Sequence, residues 1–180
     1  MEVLRNIRIG NGSVFLDGAE EFSCPSGEFT SVARCIYKHY RIDYPKFYKM
    51  SALSKLGFLA AELLLKDLDL SETDPDHMAM FFANASSSLH TDHIYQGTIG
   101  NQPSPAIFVY TLPNIVIGEI CIRHGFKGEG IFFIQEHFDK EYLFEHAENH
   151  LKLNRSSKCM AGWIDIDLDG SYSADLYLLK

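Results

Sequence analysis

The densest apolar periodicity in the chain lies between Phe47 and Lys66. There FYKMSALSKLGFLAAELLLK places Phe47, Met50, Leu53, Leu56, Ala60, Leu63 and Leu64 three and four residues apart. At 3.6 residues per turn that spacing gathers them on one side, so an amphipathic helix is predicted. Upstream, VLRNIRIGNGSVFL carries β-branched residues and a Gly-Asn-Gly break, which predicts a first strand ending near Ile9 and then a loop. DPDH turns the chain into MAMFFAN, an apolar run short enough to be a buried strand. ASSSLHTDHIYQGTI reads as a polar elbow entering a short helix. GNQPSPAIFVYTLPN holds three prolines, each without a backbone donor, and is expected to be mainly loop. Asn114 is placed to cap a helix over IVIGEICIRHG that stops at Gly125. Strand IFFIQ, helix DKEYLFEHAENHLKL, strand CMAGWIDIDL and strand YSADLYLL follow, with Asp169-Gly170 as a hairpin turn between the last two.

The predicted order is β-α-β-α-α-β-α-β-β. It implies an α/β domain spanning 1–180, with a mixed five-stranded sheet, parallel strands at its centre and helices on its faces. A chain of 180 residues is long enough to bury roughly two thirds of its unfolded surface in one core.

Charge and composition narrow the function classes. A formal charge of −8 disfavours a nucleic-acid partner, because backbone binders need a clustered Lys/Arg face. No apolar run approaches the roughly 20 residues that span a bilayer, and the opening MEVLRNIRIGNG is charged where a signal peptide is apolar. A cytoplasmic protein without membrane contact is expected. Cys24, Cys35, Cys121 and Cys159 lie far apart with no CxxC pair, the usage of reduced, buried thiols.

Four stretches carry candidate chemistry. DIDLDGSYSADL begins like a calcium loop, but its twelfth position is Leu176 in place of the bidentate Glu, and no helix enters it. The plainer reading is a strand with Ile164, Ile166 and Leu168 inward and the Asp residues in water. His90 and His93 with Asp92, and Cys121 with His124, have helical spacings that could in principle bind a metal, yet neither cluster has a convincing third ligand nearby. No metal or cofactor is expected. Ser86, Ser87 and Ser88 follow a strand but lack the glycines of a nucleophile elbow, and read better as a helix cap. The fourth stretch, KGEGIFFIQEHFDKEYLFEHAENH, turns a strand directly into a helix, where a nucleophile is often raised. That corner holds Gln135, Glu136 and His137, with no Ser or Cys.

SPAIFVYTLPNIVIGEICIRHGFKGEGIFFIQ, Ser104 to Gln135, resembles the β-ketoacyl synthase segment in which Pro-Asn starts a helix, Ile-Arg-x-Gly closes it and Lys-Gly leads into the nucleophile strand. FYKMSALSKLGFLAAELLL resembles that family's first long helix. CMAGWIDID and SADLYLL resemble its late glycine-containing strand and the strand after it. The resemblance implies the N-terminal half of a thiolase-like fold. It also exposes two departures: the family's catalytic Cys falls at His137, and its two catalytic histidines belong to a C-terminal half that this sequence ends before.

Without the Cys the covalent acyl-enzyme route is gone. The resemblance is then to chain-length-factor subunits and other degenerate synthases. These pair with an active 3-oxoacyl-acyl-carrier-protein synthase in fatty-acid, polyketide or aryl-polyene-type synthesis. By that resemblance Ile131, Phe132, Phe133 and Ile134 form an interface strand, and Phe108, Tyr110 and Leu112 bound an acyl pocket. The partner is a second copy or a full-length ketosynthase, with an acyl carrier protein as a further contact. For the four strand residues a core strand is the competing reading, and for the loop residues simple anchoring. A rival function is a thioester decarboxylase or hydrolase using His137 as base, oriented by Glu136 or Asp139. A ligand-free homodimeric remnant is a third.

Overall fold

The computed structural model describes residues 1–180 other than Ser26, Glu72 and Asn101. Its first departure from expectation is near the N-terminus. Strand β1 (Val3–Gly10) turns into β2 (Ser13–Leu16) through Asn11-Gly12, and β2 turns into β3 (Ala19–Ser23) through Asp17-Gly18. All four turn residues have positive φ, 51° and 82° at the first turn and 49° and 84° at the second. Such two-residue turns match the right-handed twist of the strands they join. The expected loop is therefore a pair of strands.

A helix absent from the predicted order follows, α1 (Phe29–His39), which buries Phe29, Val32, Ala33, Ile36 and Tyr37. The long apolar segment splits. Pro45–Lys49 forms a separate 3-10 turn, and α2 (Ala52–Leu65) begins only where the Ser51 hydroxyl accepts the amide of Ser54. Eleven residues of α2 are buried, so it is a core helix enclosed on nearly every side, where the spacing predicted an amphipathic one. Gly57 is what permits this closeness: a Cβ there would lie 2.4 Å from Val116 Cγ1.

Strand β4 (Met78–Asn84), buried throughout, leads to α3 (Leu89–Ile99), α4 (Pro105–Phe108) and α5 (Ile115–His124). The proline-rich stretch is thus helical in its apolar middle and loop or turn at its two ends, with Asn101 outside the described residues. Pro105 occupies the first position of α4, where a missing amide costs nothing, and Val109–Thr111 continues as a 3-10 turn. Asn114 precedes α5 but makes no side-chain cap bond; Gly125 closes the helix at φ 74° as predicted. Then come β5 (Gly130–Ile134), α6 (Lys140–Lys152), β6 (Lys158–Ile166) and β7 (Tyr172–Leu179). The last two pair through a turn in which Asp167 donates to the Ser171 carbonyl and Gly170 to that of Asp167.

The sheet has seven strands in the order β3-β2-β1-β7-β6-β4-β5, where five were expected. The two extra strands are β2 and β3. The parallel strands β5, β4 and β6 occupy one end and not the centre, because β7 runs antiparallel to both β6 and β1. One face carries Ile7, Ile9, Met80, Phe82, Met160, Ile164 and Leu176 into the main core with α1, α2 and α5. The opposite face carries Ala79, Phe81, Ala83, Cys159, Ala161 and Trp163 under α6.

Candidate functional site

Parallel strands β4, β5 and β6 end on the same side, and the corner they form is the place where an α/β fold assembles a site. Asn84, fully buried at the end of β4, closes the elbow behind it. Its Nδ2 donates to the Ser87 carbonyl at 2.9 Å, and the Ser87 amide returns a bond to Oδ1 at 3.0 Å. Ser87 needs this support because its φ is 48°. The Asn84 carbonyl also accepts the Gln135 amide at 2.9 Å, tying the two strand ends together. Asp165, expected in water, instead accepts the Ser86 amide at 3.1 Å and lies 3.4 Å from the Ser86 hydroxyl. Leu168, expected inward, is 50% exposed in the β6–β7 turn.

The serines therefore organise the elbow by other means than the expected side-chain cap. Ser88 stands at the N-cap of α3 without a side-chain bond to an amide. Its hydroxyl lies 2.7 Å from the Thr111 carbonyl and 3.0 Å from the Asp92 carboxylate. The first anchors the 3-10 turn to α3, and the second occupies the carboxylate that stood beside His90 and His93.

At the β5–α6 corner itself, Glu136 and His137 are exposed, and no hydrogen bond or ion pair joins them among the described residues. Asp139 is spent as the cap of α6, its carboxylate accepting the Tyr142 amide at 2.9 Å. Phe138 turns inward beside Trp163, with ring centroids 5.9 Å apart. Gln135 Oε1 is buried without a partner, the one unsatisfied polar atom of the corner.

The thiols lie elsewhere. Cys159 pairs with Ala79 at the opposite end of the parallel strands. Burial pushes its thiol up to about 12. Cys24 is pushed to about 12 by burial and by the neighbouring Cys35, and burial raises Cys121 as well. A raised pKa keeps the thiol protonated and a poor nucleophile. Among the described residues no three His, Cys, Asp or Glu side chains converge as a metal site. His124 faces Glu62 instead, with Nε2 2.9 Å from Oε1.

The loop residues separate. Tyr110 donates to Glu119 Oε1 at 2.8 Å and lines a cavity of about 270 Å³ with Ile107 and Ala106. Phe108 and Leu112 are each 53% exposed, with Phe108 packed on Tyr95 at 5.4 Å between centroids. The four strand residues share one element at the sheet edge: Ile131, Phe132 and Phe133 are half-buried, and Ile134 is 54% exposed. The sequence reading missed the basic lining of the Tyr110 cavity: Lys49 and Lys55 carry no motif, and His90 reads only as a companion of His93. They come from three segments, and no local spacing relates them.

No family model and no curated protein matches this sequence. Solved structures do. Over 99% of this chain, a ketosynthase in complex with its chain length factor from Xenorhabdus doucetiae superimposes with TM-score 0.65 at 14% identity, and 78% of that chain is covered. The ishigamide ketosynthase/chain length factor gives 0.68 at 12% identity over 61% of its chain. A β-ketoacyl synthase from Burkholderia phymatum gives 0.62 at 9% identity over 58%. The fold is the thiolase-like fold of ketosynthases. This chain spans 78%, 61% and 58% of these three chains in turn, so it matches part of each. Among the described residues no single helix is long and apolar enough to cross a membrane.

Proposed function

We propose that this chain is a non-condensing, chain-length-factor-like partner of a ketosynthase, acting in fatty-acid, polyketide or aryl-polyene-type synthesis. The observation that carries the reading is the β5–α6 strand and corner. The corner presents His137 where the ketosynthase resemblance places Cys, without a thiol and, among the described residues, without a hydrogen-bond or ion-pair partner for the imidazole. The strand that leads into it is an apolar sheet edge, open along one side. An edge strand with free backbone donors and acceptors is a ready template for pairing with another chain. Two of the structural neighbours are themselves ketosynthase/chain length factor assemblies.

The outer surface of α6 supports the same reading. Half of a doubled fold must repaint, pair or cover the face on which its other half packs. Here Lys140, Glu141, Glu145, Asn149 and Lys152 are exposed, a surface suited to water. Apolar surface is left at the edge strand, where Ile134 is exposed, and also at Ile99, Phe108, Val109, Leu112 and Ile122.

Co-expression with full-length ketosynthases from the same cell, followed by native mass measurement, tests the proposal. A one-to-one complex without acylation of this chain by an acyl-thioester is expected. A homodimer that ignores synthases and carriers, or acylation at one Cys together with condensation by the isolated chain, rejects it. The rival thioester hydrolase or decarboxylase is read from the same preparation, since His137→Ala must abolish any turnover that this imidazole supports.

A further inference from the structure

The 270 Å³ cavity lies away from the β5–α6 corner, between the start of α2, α3 and α4. Its lining divides by chemistry. Lys49, Lys55 and His90 supply the basic groups, and Thr30, Ser51 and Tyr110 supply hydroxyls. Met50, Ile94, Ala106 and Ile107 form an apolar wall, and among the described residues no carboxylate lines it. In a protein of formal charge −8 this local excess of cations is against the trend.

Two independent features add to the same polarity. The cavity touches Ala52 at the N-terminus of α2, a fourteen-residue helix with no acidic residue in its first turn. The amides of Ala52 and Leu53 make no hydrogen bond among the described residues, while Ser54 and Lys55 are satisfied by Ser51. A helix start of this kind favours an anion. In addition, His90 Nδ1 is buried with no partner.

The lysines are also unmatched. Among the described residues neither Lys49 nor Lys55 makes an ion pair. Burial, and then the Arg34 guanidinium, hold the Lys55 ammonium below its ordinary pKa. Burial, and then His93, do the same to His90. The carboxylate reached through Tyr110, Glu119, is already met by Lys46 at 2.8 Å. Lys55 is half-buried and Lys49 exposed; a half-buried cation without a counter-charge is unfavourable, and a bound anion relieves it.

We infer that this cavity binds a small organic anion, its charged head among Lys49, Lys55, His90 and the α2 amides, and its short hydrocarbon body against Met50, Ile94 and Ile107. The volume is just under the roughly 300–1,000 Å³ usual for small-molecule sites. At about 30 Å³ per water-sized group it has room for roughly nine non-hydrogen atoms. Hexanoate, with eight such atoms, is the matched probe.

The full-length chain is titrated with hexanoate, hexanol and inorganic phosphate, following the Ala52 and Leu53 amide and His90 imidazole resonances by NMR. Saturable hexanoate shifts at these positions are expected, with hexanol and phosphate each at least about tenfold weaker. Lys55→Met, which keeps the length and removes the charge, weakens hexanoate by about tenfold or more. Lys49→Gln, at an exposed position, weakens it by less and guards against a folding defect. Hexanol binding as tightly as hexanoate leaves an apolar crevice only and overturns the assignment. So does phosphate binding as tightly, unchanged affinity in both lysine variants, or the lack of saturable shifts.

Discussion

The two faces of the sheet solve the same burial problem with unequal means. On the main face, β1, β7, β6 and β4 deliver continuous aliphatic and aromatic side chains to α2, which is itself buried nearly all round. On the opposite face α6 covers only the parallel end, with Leu143 and Ala147 inward on small residues such as Ala79, Ala83 and Ala161. Beyond α6, over β1 and β7, the surface is polar and bonded to itself. Asn6 donates to Asp175 at 2.7 Å, Tyr177 donates to the same carboxylate at 3.1 Å, and Lys140 stands 3.9 Å from the Tyr177 ring centroid. One face is a closed core; the other is a thin seam finished with hydrogen bonds.

The largest expected effect tests that inequality. Phe82→Ala, fully buried on the main face, is expected to cost about 3–5 kcal/mol, the transfer of the ring plus a cavity in a packed interior. Leu143→Ala on α6 is expected at the low end of the aliphatic range, about 2 kcal/mol, because a single helix over alanines settles into the space. Urea unfolding of both variants measures the difference. Equal losses break the comparison.

Next comes the clasp that holds α5 to α2 on the main face. Arg123 grips Glu62 with two bonds, at 2.9 and 3.1 Å, and His124 joins at 2.9 Å. Burial pushes the Glu62 carboxyl up, but the His124 imidazole and the Arg123 guanidinium beside it outweigh this, so its pKa falls below the ordinary value of 4.5. A depressed carboxyl stabilises the fold above its unfolded pKa, and this contribution disappears as pH falls through the lower folded value. Glu62→Gln is expected to cost about 1–3 kcal/mol at neutral pH and to flatten the acid limb of the stability curve below pH 4.5. An acid limb as steep as that of the unmodified chain shows that other carboxyls set it.

Much of this frame was legible from residues, and the failures have physical causes. The strands from Met78, Ile131, Cys159 and Tyr172 announce themselves as short apolar or alternating runs bounded by turns. The helix α1 carries the same quality of signal, with Phe29, Val32, Ala33, Ile36 and Tyr37 repeating at helical spacing on its buried side. Asn11-Gly12 and Asp17-Gly18 are the sequences that two-residue hairpins demand, yet only the first is read, and as a break, because β2 has four residues and β3 is short and mostly polar. Parallel strands moved from centre to end because pairing between distant segments leaves no local trace. The corner was visible as a strand meeting a helix without a nucleophile. What the sequence did not carry was the role of Asp165 at Ser86, a contact across 79 residues, or the cavity assembled from Lys49, Lys55 and His90.

A smaller effect sharpens the account of the polar seam. Asp175→Ala removes the acceptor shared by Asn6 and Tyr177, at a half-buried position. Asn6 Nδ2 keeps a second acceptor in the Leu176 carbonyl at 3.1 Å, so the expected cost is about 0.5–1.5 kcal/mol, the worth of an ordinary net hydrogen bond. Thermal melting of Asp175→Ala beside Asp175→Asn separates loss of the acceptor from loss of charge. Full rescue by Asn assigns the seam to hydrogen bonding; no rescue assigns it to the Lys140 and Arg8 charges nearby.

The smallest effect on the isolated chain is expected where the proposed assembly is most exposed. Ile134 ends β5 on the open edge of the sheet and is 54% in solvent. Ile134→Asp removes little packing and is expected to shift stability by no more than about 0.5 kcal/mol. At a strand-to-strand interface the same change buries an unpaired carboxylate, which is strongly unfavourable. The two readouts therefore diverge: melting stays nearly constant while a co-purifying synthase is lost. If the edge is only a solvated boundary of the fold, both readouts stay constant, and the polar seam and the apolar edge are then two ways of ending one sheet.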